Sequence, residues 1–127
     1  MKLLLDTHTF LWFIDDSPLL SAKGKVLLEA DNELLLSIGS LWEIAIKLCL
    51  GKLTVAMPTE TLMTRQLTSN DIDVLSITVS HLVTVSTLPL HHRDPFDRLI
   101  IAQAMVEQMP IVSADPAFDA YPVQRLW

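Results

Sequence analysis

The sequence predicts an α/β fold in three layers, a mostly parallel sheet of about five strands with helices on both faces. Two observations lead there. Short apolar runs end in a carboxylate at both ends of the chain, "KLLLD" at 2–6 and "PIVSAD" at 110–115. Continuous apolar character of this kind marks strands buried on both faces. Between such runs lie segments with helical spacing and helix-capping residues, so strand and helix alternate throughout.

In order, "KLLLD" is a central strand, and "THTFLWFI" opens a helix with Thr7 as a plausible cap. "SAKGKVLLEADN" is a helix from Ser21, and "ELLLSI" at 33–38 is the second strand. "SLWEIAIKLCLGKL" gives a helix over 41–50, with Ser40 as N-cap and Gly51 as the C-terminal glycine. Helix-favouring residues follow "MPT" at 57–59, "DIDVLSI" at 71–77 is the third strand, and a helix lies near "TVSHLVTVSTL". "FDRLIIAQAMVEQ" at 96–108 has the strongest helical pattern, followed by strands at 110–115 and, more weakly, "PVQRLW" at 122–127.

A chain of 127 residues without repeats or low-complexity tracts is expected to form a single domain over 1–127. Half of the residues are hydrophobic, and the mean hydropathy of +0.40 is high enough to expect a homodimer or a permanent partner. No apolar run reaches the ~20 residues that span a bilayer, and "MKLLLD" meets a carboxylate too early for a signal peptide, so a cytoplasmic protein is expected. Cys49 is the only cysteine. It excludes an internal disulfide and a cysteine zinc site, and its leucine neighbours point to a buried thiol. The net charge of −6 argues against a broad basic surface for nucleic acid.

The carboxylates carry the chemistry. Asp6 and Asp115 each follow a buried strand, the edge that lines the crevice of open α/β sheets. Each alone is better explained as a cap on the next helix or the start of a turn, and the two together point to a shared site. Glu43 is fully explained by a capping box with Ser40 and by an i,i+4 pair with Lys47, unless its helix starts beside Asp6.

Asp94 and Asp97 separate on backbone grounds. Pro95 disfavours helical geometry at Asp94 and suits the first helical position, so Asp94 is the N-cap. Asp97 then shares the face of Ile100, Ile101 and Ala104 and points inward. A carboxylate on a buried stripe needs a partner or a metal. Clustered with Asp6, Glu43 and Asp115 it would suffer like-charge repulsion that a hard divalent cation relieves, the setting for metal-assisted phosphodiester hydrolysis.

The blocks "LLLDTHTFLW", "SIGSLWEIAIKLCLGKL", "HHRDPFDRLIIAQA" and "PIVSADPAF" occur in that order over nearly the whole chain. Together they resemble the PIN-domain family and, within it, the VapC-type ribonuclease toxins of toxin–antitoxin pairs. The resemblance implies a PIN-like α/β/α sandwich, a Mg²⁺ or Mn²⁺ site, RNA cleavage, homodimerisation and inhibition by a small antitoxin. It places the family's acids on Asp6, Glu43, Asp97 and Asp115, with Ser113 and Thr7 in support. His8 departs from it, standing where many relatives carry Asn.

On this reading the pooled acids account for much of the negative charge, and Lys47, Lys52, Arg93 and Arg98 are candidates to contact RNA or a partner. His91 and His92 lack the companions of a zinc site, so solvated or RNA-proximal loop histidines are expected. Trp12, Trp42 and Trp127 are expected in core or interface positions, and Asp119 in a turn. The competing reading is a non-catalytic PIN-like or receiver-like binding or signalling module. A receiver needs a late lysine, and no lysine follows Lys52.

Overall fold

The structure, a computed structural model, describes residues 1–127. Its five strands are β1 (Lys2–Leu5), β2 (Glu33–Ser37), β3 (Ile72–Leu75), β4 (Ile111–Val112) and β5 (Arg125–Leu126). They form one sheet in the order β3-β2-β1-β4-β5. Every pairing is parallel. Helices α1 (Thr7–Ile14), α2 (Ala22–Glu29), α3 (Ile38–Cys49), α4 (Thr59–Met63), α5 (Arg65–Ser69), α6 (Val79–Thr87) and α7 (Pro95–Glu107) make the connections, with a 3-10 turn at Pro116–Ala120. The expected three-layer α/β/α sandwich is the observed one.

Alternation along β1 explains why its sequence is apolar throughout. Leu3 and Leu5 face one core with Phe10 of α1, Leu28 of α2, Leu41 and Ile44 of α3, Leu62 of α4 and Leu67 of α5. Leu4 faces the other, with Ile100, Ile101 and Ala104 of α7 and with Phe118 and Tyr121. Side chains two apart share a face, so a strand sandwiched between helix layers has no face left for polar residues.

Several boundaries differ from expectation. The helix expected over 41–50 starts earlier, because Ser37, not Ser40, is its N-cap: Ser37 Oγ accepts the Gly39 N–H at 3.1 Å. β2 therefore passes straight into α3. Gly39 permits this turn against α7, since a Cβ there would stand 2.5 Å from Leu99 Cδ2. At the other end Gly51 has φ +69, the left-handed conformation expected of a helix-terminating glycine. The strands expected over 71–77, 110–115 and 122–127 shorten to their central residues.

Cys49 is exposed rather than buried. It lies four and seven residues from Ala45 and Trp42, which places all three on the outward face of α3. No helix is long and apolar enough to cross a membrane.

Candidate active site

Parallel pairing of β1 with β4 sets Leu5 opposite Val112, so the residues just beyond each strand meet although the sequence separates them widely. Asp6 leaves β1 and caps α1, with Oδ1 accepting the Thr9 N–H at 2.7 Å. Its Oδ2 accepts the hydroxyl of Ser113. Ser113 Oγ in turn accepts the Asp115 N–H at 3.0 Å, and Asp115 Oδ1 accepts the Ala117 N–H at 2.9 Å. Asp6 and Asp115 thus both cap the next element, the ordinary structural duty, while lining one shared cavity of about 270 Å³ with His8, Trp12 and Ala114.

Thr7 is not the cap of α1; it is the first helical residue, because Asp6 already supplies the accepting oxygen. Its hydroxyl donates to Glu43 Oε1 at 2.7 Å and shares a hydrogen bond with Ser40 Oγ at 3.0 Å. With α3 starting at Ile38, Glu43 lies beyond the first turn and the expected capping box with Ser40 does not form. Glu43 is instead buried at 6% exposure beside Asp6, the circumstance in which its helix-capping explanation lapses. Its Oε2 binds Lys47 Nζ at 2.8 Å, and this bond is the main cause that raises the Lys47 pKa. Lys47 is therefore committed to Glu43.

At the start of α7, Asp94 is the N-cap. Pro95 takes the first position, and Asp94 Oδ1 accepts the N–H groups of Phe96 at 2.9 Å and Asp97 at 3.0 Å. Asp97 points toward the other acids. Burial, then the neighbouring Asp94, push its pKa up to about 7; His92 opposes the rise, and Glu43 and Asp6 add to it. Asp97 thus shares one electrostatic neighbourhood with Asp94, Glu43 and Asp6, and burial together with these acids disfavours its charged form.

His92 belongs to this group, which the sequence reading missed. Its Nε2 lies 2.9 Å from Asp97 Oδ2 and 3.9 Å from Asp115 Oδ2. One donor atom each from His92, Asp97 and Asp115 falls within 4.8 Å of the others. The available signal was position. A residue two places before a proline-assisted cap is carried over the helix start, and here His92 Nδ1 accepts the Asp94 N–H at 3.2 Å. His91, by contrast, is exposed and meets the Tyr121 ring edge-on at 5.4 Å.

Arg98 does not face outward as a nucleic-acid contact. Its guanidinium donates to the carbonyls of Pro89 at 2.9 Å, His92 and Val85 at 3.2 Å, and Leu88 at 3.1 Å. It ties the α6–α7 connection to α7. Arg93 and Lys52 are exposed. Asp119 pairs with Arg125 at 2.9 Å, as a turn residue outside the site. Trp12 sits between His8 and Trp127, with ring centroids 5.7 and 5.9 Å away, whereas Trp42 is 62% exposed against Phe96.

The donor set fits a hard divalent cation. Asp97 and Asp115 present carboxylate oxygens a few ångströms apart, and a cation would offset both the burial of the Asp97 charge and its repulsion by neighbouring acids. Asp6 and Glu43 stand behind them, each already oriented by a hydroxyl.

Comparison with known proteins identifies the family and the fold. The sequence profile described as PIN domain matches residues 3–124. No curated protein sequence matches the chain significantly. Among solved structures, the chain is similar to VapBC2 from Rickettsia felis bound to a DNA fragment from its promoter, at TM-score 0.74 and 16% identity over 99% of this chain and 98% of that one. It is also similar to VapBC-1 from nontypeable Haemophilus influenzae (TM-score 0.68, 16% identity, 99% and 97% covered). A third is FitAcB from Neisseria gonorrhoeae (TM-score 0.68, 17% identity, 98% and 96% covered). At these identities the likeness is one of fold. With the profile spanning nearly all of its length and the acids gathered at the carboxyl edge of a parallel sheet, the chain belongs to the PIN-domain family.

Proposed function

We propose that this protein is a Mg²⁺- or Mn²⁺-dependent endoribonuclease and the toxin of a toxin–antitoxin pair. The observation that carries the reading is the position of Asp97: a carboxylate raised to about 7 by burial and by other acids, beside Asp115 at the edge of a PIN-type sheet. Asp6, Glu43, Asp97 and Asp115 would hold the metal. The bound ion supplies an activated water and neutralises charge on the leaving oxygen.

The chain's own residues supply placement. Ser113 and the Thr9 amide fix both oxygens of Asp6. Thr7 and Lys47 fix both oxygens of Glu43, and Lys47 brings a positive charge to the cluster. Asp94 holds the first turn of α7 and so aims Asp97.

The partner assignments rest on surfaces. Ile38, Trp42 and Leu50 on and after α3, and Val79, Leu82 and Val83 on α6, are exposed apolar side chains that support a homodimer. A groove of about 410 Å³ lined by Leu11, Trp12, Ile14, Leu53, Val55 and Met57 adjoins the site and supports an antitoxin. One domain over 1–127 acting in the cytoplasm completes the reading, with Lys52 and Arg93 the cations free to meet RNA.

The test is cleavage of single-stranded RNA by antitoxin-free protein. Cutting is expected with Mg²⁺ or Mn²⁺, and none with chelator, with Asp6→Asn or with Asp97→Asn. Undiminished cutting by both folded variants would refute the site, and a folded wild-type protein that binds RNA without cutting would favour a binding module.

A further inference from the structure

His92 stands among the acids, yet none of the roles above uses it. Its ring is fixed by the Asp94 N–H, which points at Nδ1 from 3.2 Å. A ring nitrogen that accepts carries no hydrogen, so the hydrogen of the neutral imidazole sits on Nε2. That Nε2 is shielded from solvent and has no aligned hydrogen-bond acceptor, although Asp97 Oδ2 is only 2.9 Å away. The carboxylate lies beside the N–H direction, not along it.

A metal-bound imidazole is arranged the other way round, with its lone pair on the ion and its second N–H on a carbonyl or carboxylate. Here a backbone N–H occupies the place of that acceptor. Ligation through Nε2 would set two N–H groups face to face. The neighbouring donors are already committed: Lys47 to Glu43, Ser113 to Asp6, Arg98 to backbone carbonyls, and the amides of Phe96 and Asp97 to Asp94.

We propose that His92 is a substrate-binding residue whose Nε2–H donates to a non-bridging oxygen of the phosphate held beside Asp97 and Asp115, and that it is not a metal ligand. The identity of that phosphate as part of RNA rests on the nuclease reading; the donor role does not. A buried donor without an acceptor is costly, and a phosphoryl oxygen entering this acidic pocket needs a donor.

The test uses the intact protein, Mg²⁺ and inorganic phosphate as probe. Long-range ¹H–¹⁵N spectra of the His92 ring should show the hydrogen on Nε2 before and after Mg²⁺, with a shift of the Nε2–H on adding phosphate. His92→Leu should weaken phosphate binding by about tenfold or more and leave Mg²⁺ affinity unchanged, and His92→Gln, which restores an N–H near that point, should recover binding. Loss of the Nε2 hydrogen on adding Mg²⁺, or phosphate affinity unchanged in His92→Leu, overturns the proposal. If these results hold but the wild-type protein does not cut RNA, the nuclease reading fails and the donor stands; cutting with phosphate binding insensitive to His92 is the reverse.

Discussion

Ser113 donates its hydroxyl hydrogen to Asp6 Oδ2 across 107 residues of sequence and, through the same oxygen, accepts the Asp115 N–H. One fully buried serine thus couples two acids at the ends of neighbouring strands. Ser113→Ala leaves a buried carboxylate oxygen and a backbone N–H without partners, and should lower stability by about 1–3 kcal/mol. Metal affinity should fall too, because Asp6 is then free to turn. Denaturant midpoints and Mn²⁺ titration of the same variant check both effects.

Asp97 makes the metal-free protein sensitive to pH in a defined direction. Its folded pKa of about 7 lies above the ordinary 3.8. Between those values the folded state binds more protons than the unfolded one, so stability falls as pH rises from about 4 to about 7 and stays lower above. With solvent still reaching the carboxylate, the penalty is about 2 kcal/mol. Chelated Asp97→Asn should therefore melt above wild type at pH 8 and equal it near pH 4, while saturating Mg²⁺ should close the gap by stabilising wild type. A wild type that is the more stable at pH 8 without metal would contradict the account.

Asp94→Ala should cost about 0.5–2 kcal/mol through loss of the cap on Phe96 and Asp97. Residual activity should persist, since Pro95 still sets the first turn. Thermal melting beside RNA cleavage measures the two effects. An inactive variant of unaltered stability would show Asp94 to act at the reaction centre.

Arg98 should behave as a structural residue. Lys offers a point charge in place of a planar fork and cannot reach the same carbonyls, so Arg98→Lys should unfold at lower denaturant by about 1–3 kcal/mol. RNA affinity of the folded fraction should be retained, in contrast to Lys52→Ala or Arg93→Ala. Gel-shift titration at fixed salt separates the cases.

The strands, their parallel sheet and most helices were legible because local rules and global packing agree. Uninterrupted leucines in β1 require cover on both faces, and the proline after Asp94 admits one helix start. Asp97 could be assigned inward from spacing alone. The misreadings arise where tertiary contact overrides a local pattern. Ser40 satisfies a capping box on paper, but close packing of Gly39 on Leu99 lets α3 begin at once after β2. Arg98 has the composition of a surface contact, and only the path of residues 85–92 shows what it holds. His92 had no helical partner to announce it, because its companions arrive from another strand and another loop. Cys49 has leucine neighbours in sequence, whereas the rotation of α3 decides its exposure.

The meeting of β1 with β4 also sets when the acids can assemble during synthesis. A nascent chain that has emerged as far as Glu107 already carries Asp6, Glu43 and Asp97, but lacks the strand that brings Ser113 and Asp115 against them. The centre is completed only when β4 has paired with β1. An acidic centre built this way cannot assemble on a chain that still lacks β4.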